Sequence, residues 1–388
     1  MSRQIKLFYL FKFLTAFHFM SAVLIPFFTD WGGINQFQIQ LLQSWFALWV
    51  FILEVPTGFI ADRYGRKLSL QLGCIASALG FILYASVPNF WVFALAEMTV
   101  ALGLALISGA DEAWLYEALK SEGKQDQMKK VIGQVQTLVL FGIAMAAILG
   151  GPIAKYLGLN IPNFFTAAAL LLAASVLLFL PEYRNGEPEV KSAKQEIIVS
   201  LKFFNNNQRL KRLSLNLVLI SATAYFVIWL YQPLLTQAAV PIKYFGLFHA
   251  FLVLSEMLLS LNFSRLEKWL GSANRYLWLT ALLVSLGFLA GALVPGITGI
   301  IIFLILAGSF GLTRIYFATS HFHELIPSAQ RATMRSVLSM YVRLGTALLN
   351  PIVGFMALKS LNLTLGLLAL LPALVLLIPY LQNPLKED

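Results

Sequence analysis

Charge is what this chain has least of: 12% of its 388 residues are Asp, Glu, Lys or Arg, where an average soluble domain carries about a quarter. A soluble protein of this length needs polar side chains to cover its surface, so the scarcity leaves lipid as the main solvent. There is one cysteine, Cys74, which excludes an internal disulfide and a thiolate metal cluster; its expected role is that of a small packing residue. Histidines are few: His18, His249, His321 and His323. A metal site needs three or four converging ligands, and His321 and His323 would point about 200° apart on a helix. No metal and no other cofactor is expected. A Walker loop, a nucleophile elbow and a Rossmann glycine pattern are all missing, which argues against an ATP-driven pump, a hydrolase or any other enzyme.

What fills the chain instead is apolar sequence, 59% of residues, with a mean hydropathy of +0.77. A helix needs about 20 apolar residues to cross the hydrocarbon core. Segments of that kind fall near 7–28, 37–61, 68–87, 90–118, 127–154, 160–181, 209–236, 243–266, 274–294, 297–325, 330–357 and 361–383, which predicts an all-α protein with twelve spans. The first run is too long for a signal-peptide core and is followed by no small-residue cleavage site, so it reads as a retained helix. Pro26, Pro152, Pro233 and Pro351 lie inside spans and should kink them.

Basic residues are distributed unevenly over the connections. With the N-terminus cytoplasmic, 23 of the 28 Lys and Arg fall on the cytoplasmic side, only Lys155, Lys243 and Lys359 fall outside, and Arg314 and Arg343 lie within spans. That bias places both termini in the cytoplasm. The net charge of +10 then reads as loops facing anionic lipid, not as a nucleic-acid site.

One polar stretch, 182–208, separates 1–181 from 209–388, and the two halves look like repeats. Pro26 and Pro233 sit at matching depths of spans 1 and 7, as do Gly151-Pro152-Ile153 and Asn350-Pro351-Ile352 in spans 5 and 11. Between spans 2 and 3 runs Gly58-Phe59-Ile60-Ala61-Asp62-Arg63-Tyr64-Gly65-Arg66-Lys67-Leu68-Ser69-Leu70. These charges cannot lie unpaired in hydrocarbon, so the segment must be a hairpin at an aqueous edge, tightened by Gly65. Glu267-Lys268-Trp269-Leu270-Gly271 is a decayed copy in the second half.

The first of these loops resembles the signature loop of the major facilitator superfamily at every specified polar position. The resemblance implies an all-α membrane protein with two six-helix bundles (6+6) in pseudo-two-fold symmetry around a central cavity, working by alternating access. It also implies a multi-pass, monomeric carrier of the cell inner membrane, with a small-molecule substrate and membrane lipids as its partners. In the family the loop is a gate. By resemblance Asp62 faces the N-terminus of span 11, and Arg66 pairs with an acid at the cytoplasmic end of span 4, where Glu117 fits. Gly58, Arg63, Gly65 and Lys67 complete the gate set. The run Ser108 to Glu117 resembles a span-4 element of bacterial members of the family and suggests a bacterial origin.

Span 4 is unusually acidic. On an unbroken helix Glu97, Asp111 and Glu112 would share a stripe, Asp111 about 40° and Glu112 about 60° from Glu97. Ionised carboxyls are costly there, which makes these three candidate proton sites; Asp111 and Glu112 could instead join the Arg66 cluster. His18 in span 1 and Glu256 in span 8 are further proton-coupling candidates. Glu256, Arg314 and Arg343 are isolated charges expected to pair, either as structural glue or as a site for an anionic group. Tyr225, Trp229, Tyr231 and Gln232, beside Pro233, could line the cavity from span 7. Trp31, Trp91, Trp114, Trp269 and Trp278 read as interfacial belt residues.

The expected function is export of a small amphipathic organic solute by antiport against protons, the proton gradient being the energy source. Two features of drug antiporters are missing: Thr99 stands where a basic residue would precede Gly103 by four, and Lys155 and Tyr156 replace glycines that should follow Gly151-Pro152. Uptake or facilitated exchange of an anionic solute at Arg314 and Arg343, and lipid flipping, remain as alternatives. A sensor or a membrane-embedded enzyme finds no signalling domain or catalytic set to support it.

Overall fold

A computed structural model describes residues 2–183, 204, 206–314, 317 and 331–379, with the backbone alone for 55, 263 and 331–340. Among these residues every regular element is helical. Ten helical segments are long and apolar enough to cross a membrane, and two shorter apolar ones, Ile161–Leu177 and Leu361–Leu377, stand where spans 6 and 12 are expected. Large apolar side chains such as Leu79, Leu172, Leu258, Leu261, Leu348 and Ile352 are more than half exposed. In water they would drive aggregation; in a bilayer they meet acyl chains.

The chain divides into two compact units. One holds the described residues of 1–188 together with 241–254, the other those of 189–240 and 255–388.

In the first unit α1 (Arg3–Thr15) is followed by an irregular stretch, a 3-10 turn over Phe19–Val23 and a π turn over Phe27–Trp31. The first span is therefore a broken helix. Then come α2 (Gln36–Tyr64), capped by reciprocal Asn35 and Gln38 bonds, and α3 (Arg66–Ser86). The fourth span is also interrupted: α4 (Phe90–Ile107) stops at Ser108, and α5 (Ala110–Ser121) restarts after Gly109, whose φ of 76° is left-handed. A side chain there would be strained. The unit continues with α6 (Met128–Leu157) and α7 (Ile161–Leu177). Pro56 lies inside α2 as well as Pro152 inside α6.

Lipid gives helices no hydrophobic reason to associate, so small residues and close backbones hold them together. The α3–α4 pair follows that rule: a methyl on Gly103 would lie 2.1 Å from Ser77 Oγ and 2.6 Å from the Gly73 carbonyl oxygen. Cys74 is fully buried in a core with Phe8, Phe11, Leu70, Ala110 and Trp114.

The second unit holds α8 (Gln208–Gln237), all but the start of α9 (Phe245–Leu270), α10 (Ala273–Leu293) and α11 (Gly296–Phe303), followed by a π turn over Leu304–Ser309. It ends with α12 (Arg331–Lys359), α13 (Leu361–Leu368) and α14 (Leu370–Leu377). Gly271, at φ 77°, turns the chain from α9 into α10 as Gly65, at φ 113°, turns it from α2 into α3. The decayed loop keeps the glycine because the turn needs it.

Candidate functional site

Two polar constellations are built into the first unit. The deeper one centres on Glu97, only 5% exposed on α4. Its Oε1 accepts a hydrogen bond of 2.6 Å from the Gln43 side-chain amide of α2, and the Tyr84 hydroxyl of α3 donates another. Tyr84 belongs to a ring cluster with Phe27, Phe28, Phe81 and Phe93. These rings shut water away from one side of the carboxyl. Its partners are neutral donors; none of the ion pairs found includes it.

The second constellation fixes α5. Lys12, in the last turn of α1, pairs with Asp111, in the first turn of α5, at 2.7 Å. A cation at a helix C-terminus and an anion at an N-terminus both complement the helix dipoles. Arg66 lies 3.7 Å from Glu117 and donates to the Ala113 carbonyl at 3.0 Å. The Trp114 indole N–H donates to the Pro181 carbonyl, also at 3.0 Å. Lys67 reaches the Leu178 carbonyl through Nζ, while its backbone N–H donates to Glu182. A methyl on Gly65 would sit 2.6 Å from that carboxylate, the movable end of a flexible side chain, so it is the φ of 113° that requires the glycine. Asp62 and Arg63 are exposed, Arg63 lying over the Phe59 and Tyr64 rings. A side chain at Gly58 would meet open space. The expected partner surface of Asp62 at the start of span 11 falls outside the described side chains.

Lys12 lies within the apolar helical segment Arg3–Trp31. Removing one member of a partly buried pair strands the other. Asp111→Ala should cost about 1–3 kcal/mol, and Lys12→Ala in the same protein should recover part of it. Thermal unfolding of the two single variants and the double variant checks this; strictly additive losses would mean that the pair is not coupled.

Several expectations change. Glu97, Asp111 and Glu112 do not share a stripe, because the left-handed Gly109 breaks the helix between them; Asp111 is bound to Lys12 and Glu112 is exposed. Trp114 is no belt residue but fully buried, stacked on Phe8 at 5.2 Å. Trp31 stacks on Phe27 at 5.0 Å, whereas Trp91 and Trp269 are 76% and 80% exposed. Arg314, completely buried in the second unit, donates to Leu277 O, Thr280 Oγ1 and Asn216 Oδ1, so neutral oxygens replace the expected carboxylate.

Glu256 is buried on α9 and Arg343 half-buried on α12. Tyr231 and Gln232 are fully buried, the amide of Gln232 donating to the Tyr231 hydroxyl at 2.8 Å. Trp229 is buried, half-buried Tyr225 packing against its ring. His18 stands at the N-cap position of the 3-10 turn without a side-chain capping bond and meets Phe81 edge-on at 5.6 Å. His321 and His323 lie outside the described residues. Sequence reasoning passes over Gln43, Tyr84 and Lys12 as partners, and Glu54 in α2. The signal for Glu54, an acid inside an apolar run, is present in the chain.

The family model described as Major Facilitator Superfamily matches residues 7–349. The uncharacterized MFS-type transporter YxaM of Bacillus subtilis is 30% identical over 63% of this chain and 61% of its own length. The multidrug resistance protein MdtG of Salmonella arizonae is 26% identical over 37% of this chain and 35% of its own. The chain thus spans less than two thirds of these curated relatives. The nucleoside transporter NupG superposes with a TM-score of 0.82 over all of both chains at 14% identity, a likeness of fold.

Proposed function

Because the chain belongs to the Major Facilitator Superfamily, we propose that this multi-pass membrane protein is a secondary active transporter exporting a small amphipathic solute in exchange for protons. Glu97 carries the reading. A carboxyl 5% exposed, inside a span and bonded to Gln43 and Tyr84, can exist in neutral and ionised forms, and exchange between them is how an intramembrane acid couples to a proton gradient. The neutral partners leave it free to do so, whereas Asp111 is committed to Lys12. The name of MdtG supports export, and that of NupG widens the solutes worth testing. Both termini are placed in the cytoplasm, on the charge bias, and the membrane is the bacterial inner membrane. The 182–208 stretch serves as the linker between halves that rock past each other.

A second reading rests on Arg314. A guanidinium held only by neutral oxygens, with Nε unpartnered, could meet an anionic solute if the second unit opens.

The test is collapse of a pH gradient in proteoliposomes challenged with cationic, neutral and anionic solutes, with Glu97→Gln, Asp111→Asn and Glu256→Gln alongside. Glu97→Gln should lower solute-driven proton flux by at least about tenfold while counterflow of labelled solute persists. Unchanged proton flux in that variant would remove Glu97 from the coupling step.

A further inference from the structure

Helix α3 begins without a cap of its own. Its N-cap is Gly65, which the left-handed turn at φ 113° requires, and glycine has no side chain to receive the first amides of the helix. Those amides have no partner within the helix. The acceptor comes from 115 residues further along the chain: the Lys67 N–H donates to Glu182 Oε1 at 3.2 Å. The carboxylate also faces the positive end of the helix dipole. Lys67 answers from the same turn. Its Nζ donates at 3.0 Å to the carbonyl of Leu178, the C-cap residue of α7, where a cation is favoured for the converse reason. Each helix end is thus completed by a side chain from the other side of the joint.

The segment that carries Glu182 is itself tied down. Pro181 cannot continue α7, and its carbonyl accepts the Trp114 indole N–H at 3.0 Å. Tyr183 packs on the Trp114 ring at 5.5 Å, and its hydroxyl donates to Gln4 Oε1. The exit of α7 is therefore fixed to α1, α3 and α5. Arg66, between Gly65 and Lys67, reaches Glu117 at 3.7 Å and the Ala113 carbonyl at 3.0 Å from this first turn of α3. A pair of that length, partly open to water, is weak by itself. The joint next to it supplies the rigidity.

We propose that Glu182 is a positioning residue of the transport cycle: it supplies the cap that α3 lacks, fixes the first turn of α3 and thereby keeps Arg66 on Glu117 and Ala113. The inference rests on the transport reading above. It makes the exit of α7 a working part of the signature loop, with Lys67 as the reciprocal donor and not only one more positive charge. Losing the joint slows the step that re-forms the Arg66 contacts and leaves solute affinity alone.

The test uses the full chain in nanodiscs and proteoliposomes, unaltered and as Glu182→Ala, Glu182→Gln and Lys67→Met. Melting temperatures within a few degrees establish that the variants are folded. In Glu182→Ala, deuterium uptake over 58–70 should quicken about fivefold, the size of a lost cap. Uptake over 110–119 should rise with it, because Arg66 loosens from Ala113. Glu182→Gln, whose amide oxygen still accepts, should recover most of both. Lys67→Met should add less to Glu182→Ala than it does alone. Ethidium efflux should slow about fivefold in Glu182→Ala at an unchanged half-saturating concentration. Normal uptake over 58–70 overturns the cap, and a change there without one over 110–119 overturns the positioning of Arg66. Normal efflux of a carried ethidium overturns the role in the cycle. An unaltered protein that moves no ethidium removes that solute from the transport reading, while the two uptake measurements still decide the joint.

Discussion

Gly246→Ala should disable the protein although it adds a single methyl. At this position, the second residue of α9, the methyl would sit 1.8 Å from the Ala147 carbonyl oxygen of α6. That atom is backbone and cannot rotate away. The same approach is tight at Gly151, where a methyl would lie 2.7 Å from the Lys243 carbonyl oxygen, and α6 is as close to the first span, where one on Gly150 would lie 2.2 Å from the Phe19 carbonyl oxygen. Relief requires the start of α9 to withdraw from α6, and overpacking against backbone costs about 3 kcal/mol or more. A bias of that size against the packed arrangement shifts its population by about 100-fold. Solute flux in proteoliposomes should fall accordingly, with a lowered melting temperature. Gly133→Ala is the control, since a methyl at Gly133 meets nothing within 4 Å. Flux within twofold of normal in Gly246→Ala would show that the transport cycle does not use this close approach.

Trp114→Ala should bring the largest loss of stability. The indole is fully buried, lies parallel to the Phe8 ring at 5.2 Å, touches Tyr183, and donates to the Pro181 carbonyl. It therefore joins α1, α5 and the segment after α7 at one point. Removing it forfeits ring packing and leaves a cavity, about 3–5 kcal/mol for Trp→Ala. Trp114→Phe should restore most of the packing but not the hydrogen bond, leaving a deficit of about 1 kcal/mol. Unfolding in mixed micelles checks both. A loss for Trp114→Ala below that for Trp114→Phe would mean that the ring is not a support of the core. Since α5 also carries Asp111 and Glu117, the same substitution should loosen both ion pairs and with them the loop of Arg66.

Little of this site could be read along the chain, for a physical reason that differs from residue to residue. Arg66 and Glu117 could be matched because a conspicuous loop and the end of an acidic span invite it. The Lys12–Asp111 pair could not: the two residues are 99 apart in sequence, and Lys12 looks like any terminal basic residue. A stripe of Glu97, Asp111 and Glu112 follows from an unbroken helix and is undone by one left-handed glycine, Gly109. Glu54 was readable and lies on the face of Gln40 and Gln43 by helical period alone.

Composition and local pattern are enough to give the solvent, the apolar segments that form the described helices, and the position of the loop that marks the superfamily. All of these follow from the local cost of placing charge and backbone polar groups in hydrocarbon, a cost paid residue by residue. Packing in three dimensions sets where spans 1 and 4 break, which donors meet Glu97, which carboxylate Lys12 holds, and where α6 and α9 come within a methyl of each other. Those outcomes depend on side chains distant in the chain filling one space, and no window along the sequence contains that information.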